Sequence, residues 1–341
     1  MRTFTNPFLK PLYIIAVSLL WFCTVVCHAA ERHLWDEGWR FALHPDDAPL
    51  QPGFKDDAWR LLDLPHDWAI EGDFYAQNPS GANGGALPGG IGWYRKHLAL
   101  HDSDAASRYV LHFDGAYMNT SVYVNGTLLG TRPYGFISFS YDITPHLNKQ
   151  GDNVVAVKVD NSRQPNSRWY TGCGVYRHVY LSKSTDVRVA EWGVQAISEV
   201  TEGVGHVTLN TQIENFSGRS RRVTVRQKLW NKARRLVMQT SKTCDVAVSG
   251  TTVKQQMRVP KPQLWSPTSP YLYTITTEII ENGRVLDGDT IRMGMRTVAF
   301  DAKQGFFLNG KNMKINGVCL HGDLGCLGAA INEDALYRQV S

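Results

Sequence analysis

One short segment combines hydrogen-bonding side chains with an aromatic ring. Asn166, Ser167 and Arg168 offer the donors and the acceptor that the hydroxyl groups of a sugar require. Trp169 follows them, and its ring could stack on the apolar C–H face of a sugar. These four residues are candidate substrate-binding residues. The alternative for Arg168 is a surface loop or a contact between domains.

The three aromatic residues Trp93, Trp169 and Tyr170 could each provide a stacking platform. Aromatic residues of a β-sandwich lie in the core more often than at a ligand, so both roles stay open for each of them.

A second segment contains His321 and Asp323, which follow the run KINGVCL at residues 314–320. That run reads as a strand, and a helix is predicted from Asn332 onward. A strand followed by a helix is how a (β/α)8 barrel begins, and barrel active sites lie at the carboxyl ends of the strands. We therefore expect His321 and Asp323 to bind substrate, with a structural histidine as the alternative for His321.

The elements that must position both segments are predicted to be almost entirely strands. Short apolar or alternating runs are separated by Gly, Pro, Asn and Asp, and Asn-Gly pairs at 125–126 and 282–283 predict hairpins. We predict a first sandwich over 31–183 and an immunoglobulin-like sandwich over 184–300. Residues 301–341 are predicted to start a barrel that is truncated at Ser341, because the stretch of about 36 residues from Gly305 onward cannot be more than one of its eight β/α units. The predicted strands are 109–113, 120–124, 136–141, 154–159, 187–189, 206–213, 223–229, 253–259 and 271–280.

The first 29 residues have the pattern of a secretory signal peptide. Arg2 and Lys10 flank an apolar run at residues 12–26 that ends near Ala29 and Ala30. About fifteen apolar residues are short for a membrane span, so a membrane anchor and a lipoprotein signal are the less favoured alternatives. We expect export to the periplasm, the cell surface or the medium, and no membrane association after cleavage.

The formal net charge of +5 is small for 341 residues, and the basic residues interleave with polar ones. Nucleic-acid binding, which concentrates positive charge on one surface, is therefore not expected. The cysteines that follow the signal peptide are scattered, and we predict buried free thiols. They are Cys173, Cys244, Cys319 and Cys326. No cofactor or metal motif is present in the sequence.

Several motifs, taken in order, resemble glycoside hydrolase family 2, which contains β-galactosidases, β-glucuronidases and β-mannosidases. The motifs of the first sandwich are 64–68 (LPHDW), 87–96 (LPGGIGWYRK), 113–116 (FDGA), 123–126 (YVNG), 167–170 (SRWY) and 174–177 (GVYR). Those that follow are 264–267 (LWSP), 271–273 (YLY), 294–296 (GMR), 307–311 (FLNGK) and 317–321 (GVCLH). The resemblance spans nearly the whole chain after the signal peptide.

This resemblance implies a jelly-roll, galactose-binding-like sandwich at 31–183. It also implies that one loop of this sandwich reaches the sugar pocket and that His321 lies at a position that lines that pocket. It also implies that the catalytic residues are two glutamates on later barrel strands, so no catalytic residue is expected in this chain. The sequence departs from the family pattern at two places. Asn166 and Ser167 provide an amide and a hydroxyl where some relatives carry an acid. Gly322 stands where similar relatives carry a second histidine or an acid. Mg²⁺ or Na⁺ is possible in a complete barrel.

The implied reaction is removal of a terminal β-linked sugar from an oligo- or polysaccharide with retention of configuration, with β-galactosidase as the favoured activity. This chain alone is expected to be an inactive fragment. The alternatives are a non-catalytic carbohydrate-binding or domain-pairing module and a purely structural exported β-sandwich protein.

Overall fold

The computed structural model describes residues 31–100 and 107–341, and the predicted signal peptide lies outside these ranges. Within them, β-strands dominate, and they form two consecutive pairs of antiparallel sheets followed by a small fifth sheet and one α-helix. Among the described helices, none is long and apolar enough to cross a bilayer.

The first pair of sheets forms a sandwich whose sheets have the orders β1-β10-β5-β8 and β3-β2-β4-β9-β6-β7. Its strands are β1 (Glu31–Leu34), β2 (Trp39–Leu43), β3 (Arg60–Leu62), β4 (Gly90–Leu100), β5 (Arg108–Phe113), β6 (Thr120–Val124), β7 (Thr127–Arg132), β8 (Phe139–Asp142), β9 (Gly151–Asn161) and β10 (Val179–Ser184). Apolar side chains such as Leu111, Val155 and Val157 fill the space between the sheets. Trp93 is fully buried, so the structure gives it the core role.

The second pair of sheets has the orders β11-β12-β15 and β14-β13-β16-β17. Its strands are β11 (Val187–Thr201), β12 (Val204–Asn215), β13 (Arg221–Trp230), β14 (Leu236–Val246), β15 (Thr251–Pro260), β16 (Tyr273–Glu281) and β17 (Arg284–Met293). Inward residues alternate with outward ones along β13, β15 and β16, as expected for strands with one face in a core. Leu209, Leu229 and Ile275 are among the fully buried side chains.

Both Asn-Gly hairpins are confirmed, because β6 pairs with β7 across Asn125-Gly126 and β16 pairs with β17 across Asn282-Gly283. Both asparagines have positive φ, as this type of turn requires. Strand β14 was not predicted from the sequence. Its side chains are mostly polar and largely solvent-exposed, so the apolar alternation that identifies a half-buried strand is absent.

The last part of the chain contains β18 (Val298–Asp301), β19 (Gly305–Leu308), β20 (Lys311–Asn312) and the helix α1 (Glu333–Val340). The helix begins where predicted, and the Asn332 side chain caps it by accepting a hydrogen bond from the Ala335 N–H at 2.9 Å.

The strand predicted at 314–320 is wrong, because these residues are irregular and largely exposed, Val318 by 93%. A strand needs a neighbour to pair its N–H and C=O groups, and no described strand lies alongside this segment. The truncated barrel therefore stays a prediction.

Replacing Leu229 by Ala should lower the free energy of unfolding by about 2–5 kcal/mol, because the fully buried side chain would leave a cavity in the second sandwich. Leu236→Ala in the same sandwich is the matched control, since that side chain is 52% exposed and its loss should change stability by less than about 0.5 kcal/mol. Urea denaturation followed by circular dichroism measures both, and equal losses would contradict the assigned core.

Candidate active-site loops

The loop that carries the predicted residues 166–169 starts where β9 ends, at the buried Asn161. The Asn161 amide donates to the carbonyl of Gly172 at 3.2 Å and to the Cys173 sulfur at 3.0 Å. Its Oδ1 accepts a hydrogen bond from Asn166 at 2.7 Å. One buried side chain therefore ties the start, the middle and the end of this loop together.

The polar atoms of Asn166 form hydrogen bonds with other residues of the first sandwich. Its Oδ1 accepts a hydrogen bond from the Tyr117 hydroxyl at 3.2 Å, and its amide also donates to the Arg163 carbonyl at 3.0 Å. Ser167 Oγ accepts a hydrogen bond from the Trp169 N–H at 3.4 Å. Arg168 is exposed, and its guanidinium has no ion pair or hydrogen bond among the residues that the structure describes.

Trp169 and His321, predicted separately, meet in the structure. Their ring centroids are 5.7 Å apart at an interplanar angle of 50°. Trp169 is 43% exposed and His321 is also exposed, so both rings present a face to solvent. Asp323 is half-buried. Burial is the main cause that raises the pKa of Tyr170, followed by Asp67, Cys173 and then the charge of Asp323. The two predicted segments thus form one surface.

The buried carboxylate of Asp67 holds this surface together. Asp67 is only 2% exposed, and its Oδ1 accepts hydrogen bonds from the Cys173 N–H at 2.8 Å and the Ala69 N–H at 3.1 Å. Its Oδ2 accepts from the Tyr170 hydroxyl at 2.5 Å and the Ala329 N–H at 2.8 Å. A carboxylate can accept about four such bonds, so its capacity is used.

Two glycines make room for this carboxylate. A Cβ at Gly172 would lie 2.7 Å from Asp67 Oδ2, and one at Gly328 would lie 2.4 Å from the same atom. Both have positive φ, at +72° and +62°, which a residue with a side chain rarely adopts. The backbone on each side can approach Asp67 only because no side chain intervenes.

Burial sets the protonation states around Asp67. Burial, followed by the nearby charge of Asp67, raises the pKa of Tyr170 far above its ordinary value, so the hydroxyl stays protonated and donates. Burial likewise raises the pKa of Cys173 to about 12, which keeps it a thiol. Tyr170 is therefore a support for the loop through its hydroxyl, while its ring lines a narrow cleft with Pro88, Asn166 and Trp169.

The neighbouring His66 forms a second buried layer beneath the loop. Its Nδ1 lies 2.8 Å from the Tyr94 hydroxyl, and its Nε2 lies 2.8 Å from Arg60 and 3.2 Å from Glu71. Burial lowers the pKa of His66, so the ring is held neutral at physiological pH. The motif at 64–68 is thus a structural foundation for the loop at 162–173.

Asp67, Gly172, Gly328 and Ala329 are parts of this arrangement that were not predicted from the sequence. One feature of the sequence could have indicated Asp67. It is a charged residue within the otherwise buried-type motif at 64–68, and a buried carboxylate needs hydrogen-bond donors. The sequence does not show which donors these are. No group of three or more His, Cys, Asp or Glu side chains suited to a metal ion occurs in residues 31–100 and 107–341.

Comparisons with known proteins match this architecture. Residues 90–190 match the model described as glycosyl hydrolase 2 galactose-binding domain-like, and residues 187–296 match the model of glycosyl hydrolases family 2. This chain belongs to glycosyl hydrolase family 2. The mostly β fold, with a galactose-binding-like and an immunoglobulin-like domain, is that of the family.

Among family 2 relatives, the chain is 49% identical to the β-galactosidase BoGH2A of Bacteroides ovatus over 91% of its own length and 37% of that protein. It is 35% identical to a putative β-glucuronidase of Formosa agariphila, over 94% of the chain and 31% of that protein. A solved family 2 structure from Bacteroides cellulosilyticus has a TM-score of 0.86 at 32% identity, covering 91% of this chain and 41% of that one. The chain thus spans well under half the length of these relatives.

The four described cysteines are free, as predicted, but only Cys173 is buried. Cys244 is half-buried, and Cys319 and Cys326 are exposed because they lie in the irregular segment after β20. The prediction of burial was therefore wrong for these three.

Replacing Asp67 by Asn should lower the free energy of unfolding by about 2–4 kcal/mol, because an amide nitrogen would face N–H and O–H donors that lose their acceptor. Hydrogen exchange of the Cys173 and Ala329 amides, followed by mass spectrometry, should accelerate most. Asp63→Asn is the control, since Asp63 also accepts a backbone N–H, from Gly38, but at an exposed site. Equal effects of the two substitutions would contradict the role assigned to Asp67.

Iodoacetamide at pH 8 should alkylate Cys319 and Cys326 in the native protein and leave Cys173 unmodified, because burial both shields its thiol and raises its pKa to about 12. Peptide mass spectrometry reads out each site, and a reaction in 6 M guanidinium, where all the thiols are accessible, is the control. Native labelling of Cys173 as fast as Cys319 would show that the loop at 162–173 is open.

Proposed function

We propose that this chain is the sugar-facing N-terminal part of a retaining β-glycosidase of family 2, and that the complete enzyme removes terminal β-linked galactose. The observation that carries the proposal is the contact of Trp169 with His321 on one surface, 5.7 Å between ring centroids. The 49% identity to a Bacteroides ovatus protein named β-galactosidase supports the choice of galactose.

In this proposal the chain contributes binding and not bond cleavage. Retaining hydrolysis uses two carboxyl groups about 5–5.5 Å apart, one as nucleophile and one as acid and base. Asp67 already accepts four hydrogen bonds, so it is not available for either role. The exposed rings of Trp169 and His321 would instead pack against the sugar, and Asp323 and Arg168 would bind its hydroxyl groups.

Arg168 is the residue most sensitive to the choice of sugar. Its guanidinium is exposed and unpaired among the described residues, so it could pair with the carboxylate of a glucuronide as readily as it could bind a galactose hydroxyl. A relative named putative β-glucuronidase is 35% identical to this chain, which makes glucuronate the sugar to test against galactose.

Export forms part of the proposal. The basic residues Arg2 and Lys10 around the apolar run at 12–26 support a signal peptide, and a polysaccharide too large to enter the cytoplasm would be the matching substrate.

Isothermal titration of the chain from residue 31 onward with methyl β-galactoside tests the binding role. Binding is expected without release of 4-nitrophenol from the corresponding nitrophenyl galactoside. Trp169→Ala should weaken binding about tenfold, a loss of about 1.4 kcal/mol, and Trp169→Phe should weaken it less because a ring remains.

Phe300→Ala is the matched control, because Phe300 is an exposed aromatic residue outside the proposed site. Tighter binding of methyl β-glucuronide than of the galactoside, lost in Arg168→Ala, would replace galactose by glucuronate. Unchanged affinity in Trp169→Ala would refute the proposed site.

A further inference from the structure

Strand β11, which belongs to the second sandwich, is interrupted by a bulge. Val189 pairs with Ile213 and Val194 pairs with Thr211, so residues 190–193 lie opposite Gln212 alone. Gly193 closes the bulge tightly, since a Cβ there would lie 2.7 Å from the Ala190 carbonyl oxygen and 2.9 Å from that of Gln212. Bulges commonly redirect a side chain out of a sheet.

The redirected side chain is Trp192. Its φ is +50°, a conformation that is uncommon for a bulky residue, and its side chain is 66% exposed. Among the residues that the structure describes, its indole has no hydrogen bond, ring contact or cation–π partner. A large, mostly exposed ring on an unfavourable backbone, with no hydrogen bond or ring contact among the described residues to hold it, indicates a binding role.

The surroundings of Trp192 indicate which chemistry it would bind. A shallow depression beside the ring is lined by Gln195, Asn210, Gln212 and Thr252. The amide of Asn210 donates to Gln195 Oε1 at 3.1 Å, which leaves further donors and acceptors on both side chains. None of the residues that line this depression is ionisable. The ring also borders a second depression, whose ionisable residues are Arg32, Glu191, Asp287 and Asp289, so acids outnumber the one cation there.

An aromatic ring beside neutral amides and a hydroxyl suits a neutral saccharide. The ring packs on the C–H face of a hexose, and the amides pair with its hydroxyl groups. A phosphate or a uronate would require a cation in the depression. A binding site for a protein partner would be expected to have more apolar surface around the ring.

We propose that Trp192, with Gln195, Asn210 and Gln212, forms a second saccharide-binding site on the immunoglobulin-like sandwich. Its ligand is a neutral β-linked oligosaccharide bound along the shallow surface. The site is separate from the Trp169 surface and does not depend on the function proposed for it.

Titration of the chain from residue 31 onward with β-1,4-linked galactotetraose tests the second site. The measurement is made in the Trp169→Ala background, so that the first surface contributes little. Binding should persist there and should weaken at least about tenfold when Trp192→Gly is added. Glycine suits the positive φ, so this variant should keep or raise the melting temperature, and a loss of binding cannot be assigned to unfolding.

Further variants separate the ring from its surroundings. Trp192→Phe should retain most of the affinity and Gln212→Ala should lose several-fold, whereas Leu236→Ala, exposed on the same sandwich, should change nothing. The tetraose would also quench or shift the fluorescence of Trp192.

Two results would overturn the second site: no tetraose binding in the Trp169→Ala chain, or binding that Trp192→Gly leaves unchanged. Failure of the first surface looks different. In that case Trp169→Ala has no effect on methyl β-galactoside binding, while Trp192→Gly still weakens tetraose binding at least about tenfold.

Discussion

The four hydrogen bonds accepted by Asp67 are the interaction on which the candidate site depends. They join the turn after residue 68, the loop that ends at Cys173 and the segment around Ala329, which is 262 positions away in the chain. A buried carboxylate is costly unless donors surround it, so the three segments must converge for Asp67 to be buried at all. The exposed rings of Trp169 and His321 then meet above a rigid base.

A comparable constraint acts where the two sandwiches meet. Glu191 lies in the β11 bulge, 3.3 Å from Nδ1 of His112 on β5 and 3.8 Å from Arg32 on β1. Burial alone would raise the pKa of Glu191, but His112 and the neighbouring arginines outweigh it and hold the pKa below its ordinary value. The bulge therefore has two uses: it turns Glu191 toward the first sandwich and Trp192 toward solvent.

Much of the fold could be predicted from local patterns. Strand β6 (Thr120–Val124) was predicted with its exact bounds, and the Asn-Gly turns identified two hairpins, because both signals depend on residues adjacent in sequence. The polar strand β14 and the irregular segment 314–320 were mispredicted for opposite reasons. β14 is a strand because its neighbour β13 pairs with it, and 314–320 is not one because no described strand pairs with it.

The amino-acid sequence by itself determined the β-rich class, the hairpins, the start of α1, the two candidate segments and, through ordered motifs, the family. The tertiary structure alone decided that Trp169 touches His321, that Asp67 is their common support and that Trp192 points outward. The physical reason is the range of the interactions. Turn chemistry and apolar alternation act between near neighbours. Burying one carboxylate required donors from its own turn and from two segments distant in the chain, and the distant ones can be identified only after the chain has folded.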